Sequence, residues 1–133
     1  MTKWTLQCVA LCGWLLAGAS FHAHHSLVGA YSLGKEAKVT GAFTAFRLVN
    51  PHSSLKLEVK NPDGKIVEWA ITGGSVTSLA RLGIGKTGPN ALHPGDEITV
   101  TYVPAADGKS PIGLLIAITY TDGHTLRFRS PEE

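Results

Sequence analysis

From about residue 37 onward the apolar positions of this chain recur mostly at every second residue, the period of a β-strand with one wet face. Leu55, Leu57 and Val59 alternate with Lys56, Glu58 and Lys60, as expected of a strand half-buried in an antiparallel sheet. Asn61-Pro62-Asp63-Gly64 then supplies turn chemistry, with proline fixing one φ and glycine accepting a positive one. Val67, Trp69 and Ile71 resume the same alternation, so the two segments are predicted to form a hairpin. Val39 to Val49 reads as a longer strand whose alternation slips near Thr44-Ala45, as a β-bulge would make it. Two further strands are predicted around Ile98, Val100 and Tyr102 and around Leu114, Ile116, Ile118 and Tyr120. Asp122-Gly123 turns the chain into a last short strand holding Leu126 and Phe128.

The period changes once. Ser75 follows Gly73-Gly74 as a good helix cap, Val76, Leu79 and Leu82 lie at helical spacing, and Gly83 is a natural stop. That predicts a short helix of roughly two turns at about 3.6 residues per turn. Three strands, a short helix and two more strands is the order of an OB-type β-barrel, here with a terminal strand added; a β-sandwich is the alternative. Ligands of OB barrels favour the face of strands 2 and 3 and the loops joining strands 1–2 and 4–5. Here those loops are Asn50-Pro51-His52 and Ala105 to Pro111, which makes His52 and Asn50 candidates for the binding side. Trp69 shares the phase of Val67 and Ile71, so it is expected in the core, with a ligand-stacking platform as the other use of its ring.

One long stretch is apolar without any alternation. Lys3 precedes an unbroken apolar run from Trp4 to Ala17, followed by the small residues Gly18, Ala19, Ser20 and Ala23. This is the layout of a secretory signal peptide, and the run is short for a membrane span. The expected organisation is a signal peptide over 1–23, a leader over 24–36 and the barrel over 37–133, in a periplasmic or secreted bacterial protein without stable membrane insertion. Ala17 and Ala19 satisfy the small-residue rule for a cut after Ala19. A cut after Ala23 would place bulky Phe21 three residues upstream of the bond.

Either cut leaves histidine close to a new amine, because the segment reads Phe21-His22-Ala23-His24-His25-Ser26. A Ser20 start makes His22 the third residue. The amine, two backbone nitrogens and the ring can then surround Cu(II) or Ni(II) in a plane. A His24 start lets its own amine and ring grip one ion, with His25 beside it. The metal candidates are therefore His24, His25 and His52, plus His22 after a cut at Ala19. The bland alternative is a solvated leader shaped by processing. Cys8 and Cys12 both fall inside the apolar run, so the processed chain has no disulfide, thiolate metal site or cysteine nucleophile. Gln7 and Leu11 precede them, where a lipoprotein signal needs a small residue.

Removing Lys3 leaves 11 basic against 10 acidic side chains, a net charge of +1. A strongly basic nucleic-acid binder is not indicated. The lysines 56, 60 and 65 are interleaved with Glu58 and Glu68, which reads as a solvated face. His93 and His124 sit beside turns and read as surface residues, with completion of a site beneath the leader as the other use of His124.

The joint pattern of His24-His25-Ser26, Asn50-Pro51-His52, Trp69, Gly73-Gly74-Ser75, Leu79, Arg81, Gly83 and Pro94-Gly95-Asp96 resembles a family of small exported bacterial proteins of unknown function. The resemblance implies a periplasmic β-barrel with a His-His-Ser start after cleavage, hence the cut after Ala23. It implies no established activity. Thr72, Val76 and Ile84 depart from the acid, proline and tryptophan common at those places, and all three lie around the helix.

Enzyme motifs fail on inspection. Gly85-Lys86-Thr87 has Ala80 where a phosphate-binding loop needs its first glycine, and Gly88-Pro89 blocks the following helix. Ser75 lacks the second glycine of a nucleophile elbow, since Thr77 stands there. Gly73-Gly74-Ser75 suits an ordinary helix cap better than an anion cradle. The expectation is a non-enzymatic periplasmic module binding Cu(II) or Zn(II) through its amino-terminal histidines, with His52 as an additional ligand. The alternative is an OB-type adaptor holding a peptide, glycan, small molecule or another periplasmic protein without metal. Copper-dependent oxidation at the terminal histidines is a third and weaker reading.

Overall fold

The structure is a computed structural model that describes residues 29–128. The expected signal peptide over 1–23 and the candidate ligands His22, His24 and His25 lie outside the described residues. Among the described residues, six strands and one complete helix follow in chain order: β1 (Ala37–Arg47), β2 (Ser54–Lys60), β3 (Ile66–Thr72), α1 (Val76–Arg81), β4 (Glu97–Pro104), β5 (Ile112–Tyr120) and β6 (Thr125–Arg127). The sheet order is β3-β2-β1-β4-β5-β6, with a further parallel pairing of β3 to β5. That pairing joins the two ends of β1 to β5 into a closed five-stranded barrel of OB type, and β6 lies on the remaining edge of β5. One closed sheet rather than two packed ones settles the choice against a β-sandwich.

Local chemistry accounts for the elements. The β2–β3 hairpin sets Leu55 opposite Ile71, Leu57 opposite Trp69 and Val59 opposite Val67, so both alternating runs put their apolar sides on one face. Its turn closes on Asn61, whose N–H donates to the Lys65 carbonyl at 2.8 Å. Gly64 takes a φ of 83° there, a left-handed position that suits glycine. β1 has its bulge between Phe43 and Ala45. The extra residue keeps both Phe43, opposite Leu57, and Phe46, opposite Leu55, on the core side. Their rings meet at 4.6 Å.

The core inside the barrel is built from Phe43, Leu55, Leu57, Ile71, Ile98, Val100, Leu115 and Ile118. Leu79 of α1 and Ile84 and Leu92 from the connection to β4 join it. Two expectations need adjustment. β1 stops at Arg47 rather than Val49, because Arg47 pairs with Ser54 and the chain leaves the sheet there. Leu48 and Val49 are exposed.

β5 does not keep one apolar face. Thr101 pairs with Ala117 and Tyr102 with Leu115, so Ile116 is an extra residue that shifts the phase. Leu115 and Ile118 thus enter the main core, while Leu114 and Ile116 belong to a second buried cluster with Val103 and Ala117, against which Tyr31 packs. Tyr31 bridges to Ala105, and the Ser32 N–H donates to the Pro104 carbonyl at 2.9 Å. Among the described residues no helix is long and apolar enough to cross a membrane.

Candidate functional site: the Asn50–His52 turn and the helix start

The two motifs that stand out in the sequence, Asn50-Pro51-His52 and Gly73-Gly74-Ser75, are neighbours in space. The Ser53 N–H donates to the Gly74 carbonyl at 2.8 Å, and the Gly73 N–H returns the bond to the Ser53 carbonyl at 2.9 Å. Asn50 reaches over α1, where its Oδ1 accepts from the Val76 N–H at 3.2 Å. Ser75 caps the same helix, accepting from the Ser78 N–H at 3.1 Å. A helix start leaves its first N–H groups without internal partners; Asn50 and Ser75 supply acceptors for two of them. Ser53 has no exposed surface, and its hydroxyl is satisfied by the Val49 carbonyl at 3.1 Å. Gly73 is required by close approach: a Cβ there would lie 2.5 Å from the Cβ of Leu115. The Asn50-Pro51 peptide bond is cis.

This lattice of bonds holds the β1–β2 turn against the helix and leaves His52 exposed at its surface. The other two imidazoles of the described chain are engaged. His93 Nδ1 stands 3.6 Å from Asp96 Oδ2. His124 lies between Asp122 and Asn90. The His52 ring has no hydrogen bond or ion pair among the described residues, and no group of three or more metal-ligating side chains occurs among them. The barrel therefore offers a metal one uncommitted imidazole rather than a preformed cage.

The sheet face of β2 and β3 carries an ion pair on one side and an aromatic contact on the other. Lys56 Nζ pairs with Glu68 Oε1 at 2.8 Å on its outer side, which neutralises the charge there. Trp69 is half-buried, packs against the core and meets Tyr102 edge-on at 5.3 Å. Asn50 and Trp69, the two residues expected on a ligand face, thus have structural work in helix capping and core packing. The β4–β5 loop runs along the edge of β3, with the Ala70 N–H donating to the Pro111 carbonyl at 3.0 Å. Asp107 pins that loop. Its carboxylate accepts from the Lys109 and Ser110 N–H groups and the Ser110 hydroxyl. These bonds, the Ser110 hydroxyl first, pull its pKa down from 3.8 to about 2.

Sequence reasoning passed over Asn90. It sits in a turn-rich connection, where asparagine is common, yet its backbone and side chain together bind Leu82, Gly83, Tyr120 and His124. The only hint available in sequence is its place seven residues after Gly83, on the far side of a run with no other long polar side chain but Lys86.

Comparison with solved structures finds the mitochondrial single-stranded DNA-binding protein Rim1 of S. cerevisiae. It is 12% identical, with 71% of this chain and 96% of that chain covered at a TM-score of 0.47. The barrel assignment rests on the strand pairings above, not on that likeness. No curated protein sequence matches significantly. The model of a family of unknown function, DUF6152, matches residues 14–114, most of the barrel included, and the chain belongs to that family.

Proposed function

We propose that the processed chain is a small periplasmic, non-enzymatic module that binds Cu(II), and Zn(II) more weakly, through the amine and imidazoles at its new amino terminus. After a cut at Ala23 the ligands are the His24 amine and ring with His25; after a cut at Ala19 they are the Ser20 amine, backbone nitrogens and His22. The observation that carries the reading is the placement of three histidines within four positions, 22 to 25, where export processing would create an amine. The reading follows the likeness to exported proteins with a His-His-Ser start. It is also supported by the sequence after Cys12, which holds neither cysteine nor methionine and leaves imidazole as the best side-chain ligand for Cu(II) or Zn(II). His52 is the proposed additional ligand, because its ring is exposed and uncommitted among the described residues.

The test is Cu(II) titration of the processed protein, its amino terminus first defined by intact mass. A Cu(II) resonance with nitrogen couplings is expected. Affinity should fall as the solution is acidified through the histidine range near about 6.5, since amine and imidazole must shed protons to bind. One extra amino-terminal residue displaces the amine while keeping every ring, so it should weaken binding sharply. Undiminished affinity in that protein would refute amine chelation. No binding by the correctly processed chain at neutral pH would remove the metal reading and leave the adaptor in its place.

A further inference from the structure

The connection between α1 and β4 is organised around Asn90. Its N–H donates to the Gly83 carbonyl at 3.1 Å, its side-chain Nδ2 donates to the Leu82 carbonyl at 2.6 Å, and its own carbonyl accepts from the Tyr120 hydroxyl at 2.8 Å. The remaining group, Oδ1, faces His124 Nε2 at 3.2 Å. On the other side of the imidazole, Nδ1 lies 2.5 Å from Asp122 Oδ1. The ring is stacked on Tyr120, 4.2 Å between centroids and 9° from parallel.

Donor counting decides the protonation state this arrangement needs. The Leu82 carbonyl can only accept, so the Asn90 amide is oriented with Nδ2 toward it and Oδ1 toward His124. Oδ1 and the Asp122 carboxylate are both acceptors. A neutral imidazole has one N–H and can satisfy only one of them; the imidazolium has two and satisfies both. Flipping the Asn90 amide offers no escape, because it would set its oxygen against the Leu82 carbonyl.

We propose that His124 is a proton-operated clasp: charged, it ties the β5–β6 turn to the α1–β4 connection through Asn90, and neutral, it releases that tie while keeping Asp122. The charged and titratable groups around it agree with this role. Asp122, on the same turn, is a carboxylate held below its usual range chiefly by the His124 backbone N–H and then by its ring, so it is negative at neutral pH. Tyr120 beneath the ring keeps its hydroxyl proton, its pKa pushed up to about 12. From the connection, Asp96 bears on Tyr120 and is engaged by His93 at 3.6 Å. No lysine or arginine among the described residues forms an ion pair with Asp122 or Asp96. The inference is independent of the metal reading, and its pH sense is opposite: acid closes the clasp and would strip the terminal histidines of metal.

Amide exchange of the whole chain, corrected for its intrinsic pH dependence, tests the clasp between about pH 8 and about pH 5, where histidine changes charge. Protection of residues 83–92 should rise by about three- to tenfold on acidification, the scale of one partly exposed charge-assisted hydrogen bond. His124→Phe keeps a ring to stack on Tyr120 and has no ring proton, so the pH-dependent rise should vanish in it. His93→Gln should retain the rise. Nitrogen shifts of the His124 ring at low pH should show both nitrogens protonated and hydrogen-bonded. Protection that is flat with pH in the parent, or a rise that survives in His124→Phe, would overturn the proposal.

Discussion

Replacing Trp69 by alanine is the sharpest test of how the barrel is filled. The indole lies opposite Leu57 on the inward face of the hairpin and touches the Tyr102 ring edge-on at 5.3 Å. A fully enclosed aromatic side chain removes roughly 150–250 Å² from water. Trp69 keeps only a minor part of its surface open, so roughly two-thirds of that area at ~25 cal/mol per Å² amounts to about 2.5–4 kcal/mol. Loss of the edge contact adds about 0.5–1.5 kcal/mol. The expected cost is therefore about 3–5.5 kcal/mol, a large share of the roughly 5–15 kcal/mol that stabilises a domain. Urea unfolding followed by far-UV circular dichroism measures it, with an unchanged denaturant slope showing that the same surface is exposed. Trp69 is the single tryptophan after Trp14, so in a protein lacking residues 1–23 its fluorescence reports the same transition. A double-mutant cycle with Tyr102→Leu should return a coupling of about 0.5–1.5 kcal/mol. A loss below about 1 kcal/mol at unchanged slope would show that the ring does not fill the barrel, and the inward phase assigned to β3 would have to be abandoned.

Asn50→Ala removes an acceptor from the start of α1 and should cost about 0.5–2 kcal/mol, with faster exchange at the Val76 N–H; Asn50→Asp, which keeps an acceptor, should restore most of it, and equal behaviour of the two variants would deny Asn50 its capping role. Tyr120 gives an alkaline signature. Burial first, then the negative charges of Asp96 and Asp122, push its pKa from 10.0 to about 12. Its neutral form is thus favoured by folding, so its contribution is whole below 10.0 and is lost as pH rises through about 12. Denaturation curves across that range should decline in the parent and flatten in Tyr120→Phe, and identical slopes would contradict the burial of the hydroxyl.

Most of the barrel was legible because its strands obey a single rule, one face in and one face out. Leu55, Leu57 and Val59 with Val67, Trp69 and Ile71 declare the hairpin and its register together, and the turn between them has the right residues. The helix was legible from Ser75 and Gly83. β5 was not, since Leu114, Ile116 and Ile118 alternate as well as any strand in the chain; the bulge opposite Thr101 and Tyr102 that splits them is a property of the pairing. Proximity was equally hidden. Asn50 and Val76 are neighbours only once the barrel closes, and no local pattern distinguishes the Asn90 that gathers four partners from an asparagine that merely allows a turn. His52 was visible as a loop histidine, and its lack of a partner among the described residues could be learned only from the packing around it.

The order in which these strands meet has a kinetic consequence. β1, β2 and β3 are joined by short connections and can zip together from their own residues. The barrel closes only where Ala70, Ile71 and Thr72 align beside Ile112, Gly113 and Leu114, a short seam between segments distant in the chain. Closing such distant contacts is slow relative to hairpin formation. Gly113 sits at this seam because any side chain there would strike the Tyr102 ring, and that ring is the one braced against Trp69. The late step of folding therefore converges on three paired positions and one missing Cβ. A chain emerging in segments would hold β1 to β3 as an open meander until β5 arrives to close the seam.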